Sequence, residues 1–383
     1  PGFDQPLSRS MRLTVFGPGH PFRGGIARTT TELARSLAAR GHDVDFLTPR
    51  RQYPGWLFPG RDDRDPDACE RIDGAEQILD PLNPLSWAGS TRQARELDAD
   101  AWIVPYWTWA WAGQWWFLLR GRRPPAISVV HNPADHDATF VQRIAAGMVL
   151  NRCEALFTHA MYLEDRLTEL GYGQPMASHP LPMTEPRPLP DRNEARRAVG
   201  EEGERRIALF LGLIRPYKGV DLLLEAVAQL PADSDWTLIG AGEAWGDLGA
   251  DIERRAREKD LANRVRMRLG WVPEGEVPAL LAAADLVVLP YRAGSQSAVA
   301  PMALAAGVPV LSTRVGGLPE LVRDGVDGVL VEPGSAEALA EALVGVDRPA
   351  LARLRDGAEA GRGRLTWDGY AAALAGLIER VVG

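Results

Sequence analysis

Short apolar runs alternate with segments whose apolar residues recur at helical spacing along almost the whole chain. Residues 12–17 (RLTVFG) are apolar and β-branched, residues 26–39 carry apolar positions on one helical face, and residues 44–47 return to a strand pattern. In the second half, strand-like runs fall at 207–212, 236–240, 265–270, 285–291, 308–313 and 328–333, with helical patterns such as 221–230, 274–284 and 335–344 between them. Such alternation predicts βαβ units and an α/β fold of parallel, doubly wound sheets. The proline-rich stretch 179–190 (HPLPMTEPRPLP) reads as a linker. We therefore expect two Rossmann-like domains facing a central cleft, over 11–185 and 186–365. The amphipathic pattern over 366–383 predicts a last helix that packs back toward the first domain. Ligands of open α/β sheets bind at the carboxyl ends of strands, so the chemistry is sought in loops that follow strands.

Composition narrows the class. With 383 residues, 45% hydrophobic and 25% charged, the chain can build large cores without disulfide or metal staples. A net charge of -8 argues against nucleic acid as partner. Cys69 and Cys153 form no spacing motif, and residues 1–10 read as a tag remnant ahead of Met11, with no signal-peptide pattern. A cytoplasmic setting is the expectation. One segment qualifies it: residues 101–119 hold six tryptophans between Trp102 and Trp116 and no formal charge. Pro105, Gly113 and Gln114 interrupt it, so a buried strand followed by a helix is the plain reading. The alternative is an aromatic face for a lipid-linked or sugar acceptor, with peripheral contact at the inner face of a membrane.

Four loops after strands are candidates. In the first, residues 17–25 (GPGHPFRGG), Gly24 and Gly25 stand where a helix begins and could present bare N–H groups to an anion. The second, 215–219 (RPYKG), holds Arg215 and Lys218; among 43 basic residues only Lys218 and Lys259 are lysine. Two cations at a helix N-terminus suit a diphosphate, whereas Lys259 lies in a charged run that reads as a solvated helix face. The third, 294–299, offers Ser295, Gln296, Ser297, Ala298 and Val299, and either serine could also cap the following helix. The fourth, 240–246, includes Gly242 in a GxGxxxG spacing, but it follows the second strand of its half, which argues against a dinucleotide site. Among the histidines, His131 follows a strand and is the candidate for substrate hydroxyls, with His136 nearby. His159 and His179 fall at strand ends and read as structural, His42 as a turn residue, and His20 is open. No histidine pair has metal-ligand spacing, and the DxD-like 43–45 and 98–100 precede strands, so no metal is expected.

These loops, together with 270–273 (GWVP), the run AAADLVVLPYRAGSQSAVAPMALAAGVPVLSTRVGGLPELV and the tail DGVLVEP, resemble a family 4 glycosyltransferase of the GT-B fold. The resemblance covers essentially the whole chain and is strongest over 207–333. It implies retention of anomeric configuration without a metal, a nucleotide-diphosphate-sugar donor as substrate with no cofactor, and an acceptor held by the first domain. By the same resemblance Arg215 and Lys218 would hold the diphosphate, Gly24 and Gly25 would approach it, and His131 would contact the transferred sugar. The backbone near Val272 would bind the base, and Gln296 to Val299 would supply further donors. The chain departs from the family's E-x7-E pattern: the two glutamate positions hold Gly294 and Met302. Ser295-Gln-Ser297 matches a Ser/Thr-Gln-Ser pattern of some members. The departure keeps two other readings open, a non-catalytic sugar-nucleotide-binding partner protein and a nucleotide-sugar epimerase.

Overall fold

Residues 9–22, 24–52, 64, 74–132, 140–183, 188–201, 203–244, 246–258 and 260–383 are described by the computed structural model. Cys69, His136, Lys259 and the expected boundary at 185/186 lie outside them.

The first unit comprises 1–180 and 366–383. Its elements run β1 (Arg12–Phe16), α1 (Gly25–Ala39), β2 (Asp43–Pro49), β3 (Glu76–Leu79), α2 (Pro84–Glu96), β4 (Ala101–Tyr106), α3 (Ala112–Leu118), β5 (Ala126–Val130), α4 (Phe140–Leu150), β6 (Ala155–Thr158), α5 (Met161–Glu169) and β7 (Met176–Ser178). The second unit, 181–365, holds α6 (Arg192–Ala198), β8 (Arg206–Leu211), α7 (Val220–Ala228), β9 (Trp236–Gly242), α8 (Leu248–Ala256), β10 (Val265–Leu269), α9 (Val277–Ala283), β11 (Leu286–Leu289), α10 (Val299–Ala305), β12 (Val310–Thr313), α11 (Leu318–Leu321), β13 (Gly328–Val331), α12 (Ala336–Gly345) and α13 (Arg348–Ala360). The final helix, α14 (Trp367–Val382), belongs to the first unit.

Among the described residues the sheets have seven and six strands, in the orders β3-β2-β1-β4-β5-β6-β7 and β10-β9-β8-β11-β12-β13. Every pairing between these strands is parallel. Parallel strands are covered on both faces, so the central ones are apolar throughout rather than alternating; all four residues of β11 are buried. In each sheet the order reverses direction between the first and fourth strand, β1/β4 and β8/β11, and such a switch point leaves a crevice at the strands' carboxyl ends.

Helix α14 starts at Thr366, whose Oγ1 accepts from Gly369 N at 3.0 Å. It buries Tyr370, Ala371, Leu374, Ala375, Leu377 and Ile378, one helical stripe, against α1, β6 and β7. The tryptophan-rich segment forms a buried strand followed by a helix, and half of its tryptophans lie in the core. Trp102, Trp111 and Trp115 are fully buried, with Trp111 stacked on Trp115 at 4.9 Å and Phe16 edge-on to Trp102 at 5.3 Å. Trp107 and Trp116 are half-buried, and Trp109 alone of the six is exposed. No helix among the described residues is long and apolar enough to cross a membrane.

Candidate functional site

At the switch point of the second sheet, pairing of β8 with β11 brings together two loops some 70 residues apart in the chain. After β8 the chain passes Arg215, makes one 3-10 turn over Pro216–Lys218 and enters α7 through Gly219. Gly219 sits at φ 68°, and a Cβ there would lie 2.0 Å from the Pro290 carbonyl oxygen, so only glycine permits this approach of loop to strand. The Lys218 ammonium donates to Tyr291 Oη at 2.6 Å and lies 3.8 Å from the centre of the same ring. Tyr291 Oη in turn pairs with Ser297 Oγ at 3.2 Å. Ser297 Oγ also accepts from Val299 N and Ala300 N, capping α10. Arg292 fixes the other side of the turn: it is bidentate to Asp221 at 2.6 and 2.7 Å, and its Nη1 donates to Pro216 O. Burial pushes the Asp221 carboxyl up, yet the Arg292 guanidinium outweighs it and holds the group below its ordinary value. Burial also pulls the Lys218 ammonium down to about 8; neighbouring Arg215 adds to this and Tyr217 opposes it.

The other donor-side candidates of this unit have distinct settings. Ser295 accepts from Gly317 N through its carbonyl, and Ala298 is exposed. Val299 is buried, and Met302 packs half-buried against the unit's core. Val272, just past edge strand β10, is likewise half-buried against that core. At Gly242 a Cβ would fall 1.8 Å from Gly212 O, so this glycine lets the ends of β8 and β9 close together. Gly294 adopts φ +141°, a conformation that favours glycine, although its nearest non-neighbour atom would be 3.8 Å from an added Cβ.

In the first unit, Gly24 caps α1 at φ 101° with nothing within 4 Å of where a Cβ would stand, and both Gly24 and Gly25 are exposed. His131, His159 and His179 immediately follow β5, β6 and β7. The pairings Val130↔Thr158 and Thr158↔Ser178 set them at one level across three adjacent strands. His131 Nδ1 and His159 Nε2 lie 2.8 Å apart, and Tyr370 Oη lies 3.1 Å from His159 Nδ1. Burial pushes His131 down to about 3 and His159 well below its ordinary value, where the neighbouring His131 and His179 add to the effect. Desolvation thus favours the neutral form of both rings.

Of the sequence candidates, Lys218 and Ser297 come together around Tyr291 and His131 lies against His159, whereas Tyr291, Arg292, Asp221 and Tyr370 were not among the candidates. His159 sits in a hydrogen-bonded row that a strand-end reading did not anticipate. Tyr291 was visible as the end of a strand pattern and Arg292 as the residue after it; their partners emerge only once β8 and β11 are known to be neighbours.

Two Rossmann-like parallel sheets define the GT-B fold. Its solved members include sucrose-phosphate synthase from Thermosynechococcus elongatus, with TM-score 0.77 and 20% identity, covering 97% of this chain and 99% of that one. Anabaena HepE in complex with UDP-glucose has TM-score 0.73 and 18% identity, covering 96% and 98%. Two family descriptions match the sequence, "Glycosyl transferase 4-like domain" over 24–181 and "Glycosyl transferases group 1" over 205–346. D-inositol 3-phosphate glycosyltransferase of Thermobispora bispora is 30% identical over 94% of this chain and 90% of its own length. The relative of the same name from Mycolicibacterium paratuberculosis is 35% identical, but the match spans only 50% of this chain and 44% of that protein. The chain belongs to the family 4, group 1 glycosyltransferases.

Proposed function

We propose that this protein transfers a sugar from a nucleotide-diphosphate-sugar donor to an acceptor hydroxyl with retention of configuration. The observation that carries the reading is the Lys218 ammonium held by Tyr291 at the switch point of the second sheet, beside Arg215 and the start of α7. Cleaving the anomeric bond puts negative charge on the departing diphosphate. Two cations and the first N–H groups of α7 are suited to take up that charge, and they are fixed before reaction, so little reorganisation opposes it. In this reading the second unit binds the donor, with Val272 near the base and the 295–299 loop near phosphate and sugar. The first unit binds the acceptor, with Gly24 and Gly25 presenting N–H groups suited to an anion and His131 meeting a sugar hydroxyl. The names of the relatives and the UDP-glucose bound to HepE support a nucleotide-sugar donor and suggest a small polyol or its phosphate as acceptor class. Gly294 and Met302 at the E-x7-E positions favour one second reading, a sugar-nucleotide-binding partner protein without turnover.

Calorimetry with UDP, GDP, ADP and TDP, followed by product analysis with the matching sugar nucleotides and hydroxylated acceptors, tests this. We expect one nucleotide to bind preferentially and its sugar to move with retained configuration. Binding without transfer to any acceptor would favour the partner-protein reading. Conversion of donor with no acceptor present would indicate an epimerase.

A further inference from the structure

The row of histidines in the first unit has a direction. Tyr370 is fully buried on α14, its ring held edge-on by Phe157 at 5.0 Å and by Trp367 at 5.4 Å, and stacked on His159 at 5.7 Å. Among the described residues its hydroxyl has His159 Nδ1 as hydrogen-bond partner. A buried O–H that donates to nothing is costly, so the hydroxyl hydrogen goes to Nδ1. A neutral imidazole carries one hydrogen, and that of His159 is therefore on Nε2, which faces His131 Nδ1 at 2.8 Å. Nδ1 of His131 must accept, which leaves its own hydrogen on Nε2. Burial supports the neutral forms this requires, keeping both rings far below their ordinary range and the Tyr370 phenol well above its own.

We propose that Tyr370 and His159 are positioning residues that fix His131 as an Nε2–H donor toward an oxygen of a sugar hydroxyl, and so as neither a base nor an acceptor. The inference rests on the reading above that His131 meets the sugar, and adds which tautomer does so and what enforces it. The last helix of the chain would thereby set the state of a side chain at the end of β5, more than 200 residues earlier.

Imidazole 15N spectra of the full chain, with His131 and His159 assigned by single substitution, test it without any substrate. In the native protein both rings should show the Nε2–H tautomer and no titration between pH 5.5 and 8. Tyr370→Phe keeps the ring packing and removes the hydroxyl. It should convert both rings to tautomer mixtures and lower kcat/KM about 3–10-fold, as expected for one lost hydrogen bond, while nucleoside diphosphate affinity stays unchanged. Should that variant fail to fold, His159→Gln, whose amide can still donate to His131, should retain the His131 signature that His159→Leu loses. Unchanged signatures in Tyr370→Phe, or equal signatures in the two His159 variants, would overturn the relay. Altered tautomers with undiminished transfer would overturn the sugar contact instead. If the native protein transfers no sugar, the spectra still decide the relay, and the failure lies with the function.

Discussion

At the end of β11 a buried tyrosine hydroxyl receives a hydrogen bond from an ammonium; on α14 a second buried tyrosine hydroxyl gives one to an imidazole. Lys218 is positively charged below about pH 8 and stands beside a second cation, Arg215. His131 and His159 are kept neutral by the same desolvation. Burial acts on both places, but only the first holds charge, because a lysine starts some four units higher than a histidine and remains protonated at neutral pH after a comparable loss of solvation. The difference teaches a division of labour. On the proposed function, the second unit would offer charge to a polyanion and the first directed hydrogen bonds to neutral hydroxyls.

The strongest way to break this contrast is to remove the charge. Lys218→Ala should lower the transfer rate about 10²–10³-fold, the usual cost of deleting one preorganised charge-stabilising donor. The fold should survive, because Lys218 is half-buried in a turn and is not part of the hydrophobic core. Rates measured at saturating donor, with melting temperature as control, decide it; an undiminished rate would remove Lys218 from the leaving-group site. Tyr291→Phe keeps the ring beneath the ammonium and deletes only the hydroxyl. It should weaken nucleoside diphosphate binding about 3–10-fold by calorimetry.

A pH series sharpens the comparison further. The free protein holds Lys218 down to about 8, and a bound diphosphate favours the ammonium, so binding above pH 8 must take up a proton. Affinity should therefore fall about tenfold from pH 7 to pH 9. Lys218→Arg does not titrate there and should give a flat profile. His131, pushed down to about 3, stays neutral over the whole range and adds no slope. A flat native profile would show that the ammonium is not a ligand of the diphosphate.

How much of this could be read in the sequence depended on whether the determinant was local. Strand–helix alternation gave the sheets, because buried parallel strands are apolar throughout and their helices are amphipathic. Two cations flanking a turn at a helix start, 215–218, are a local pattern, and so is a histidine at a strand end. Tyr291 could not be assigned, since its role depends on β11 lying beside β8, nor could Tyr370, whose partner is 211 residues away. For the tryptophans of 101–119 the plain reading of a buried strand followed by a helix agrees with β4 and α3, although apolarity alone could not tell a membrane face from a core. At Gly294 the sequence showed only that a glutamate is missing. The backbone there has φ +141°, and a Cβ on Gly316 would come within 2.1 Å of the Gly294 carbonyl oxygen. The conformation at Gly294 favours glycine, so a glutamate could not be placed there without straining this backbone.

The smallest effect concerns how α14 is kept in place beneath the histidines. Arg40 and Asp368 form an ion pair between the end of α1 and the first turn of α14, with the aspartate side chain 72% exposed. Exposed pairs contribute about 0.2–1 kcal/mol, because solvent screens them and two side chains lose freedom to form them. The stripe from Tyr370 to Ile378 is fully buried, and truncating one such leucine costs about 2–5 kcal/mol. Asp368→Ala should consequently lower the melting temperature by no more than about 4 °C, and leave the His131 and His159 15N signatures unaltered, whereas Leu374→Ala should destabilise strongly. If Asp368→Ala instead disturbed those signatures, the ion pair rather than the apolar stripe would be setting the position of Tyr370, and the first unit too would depend on charge.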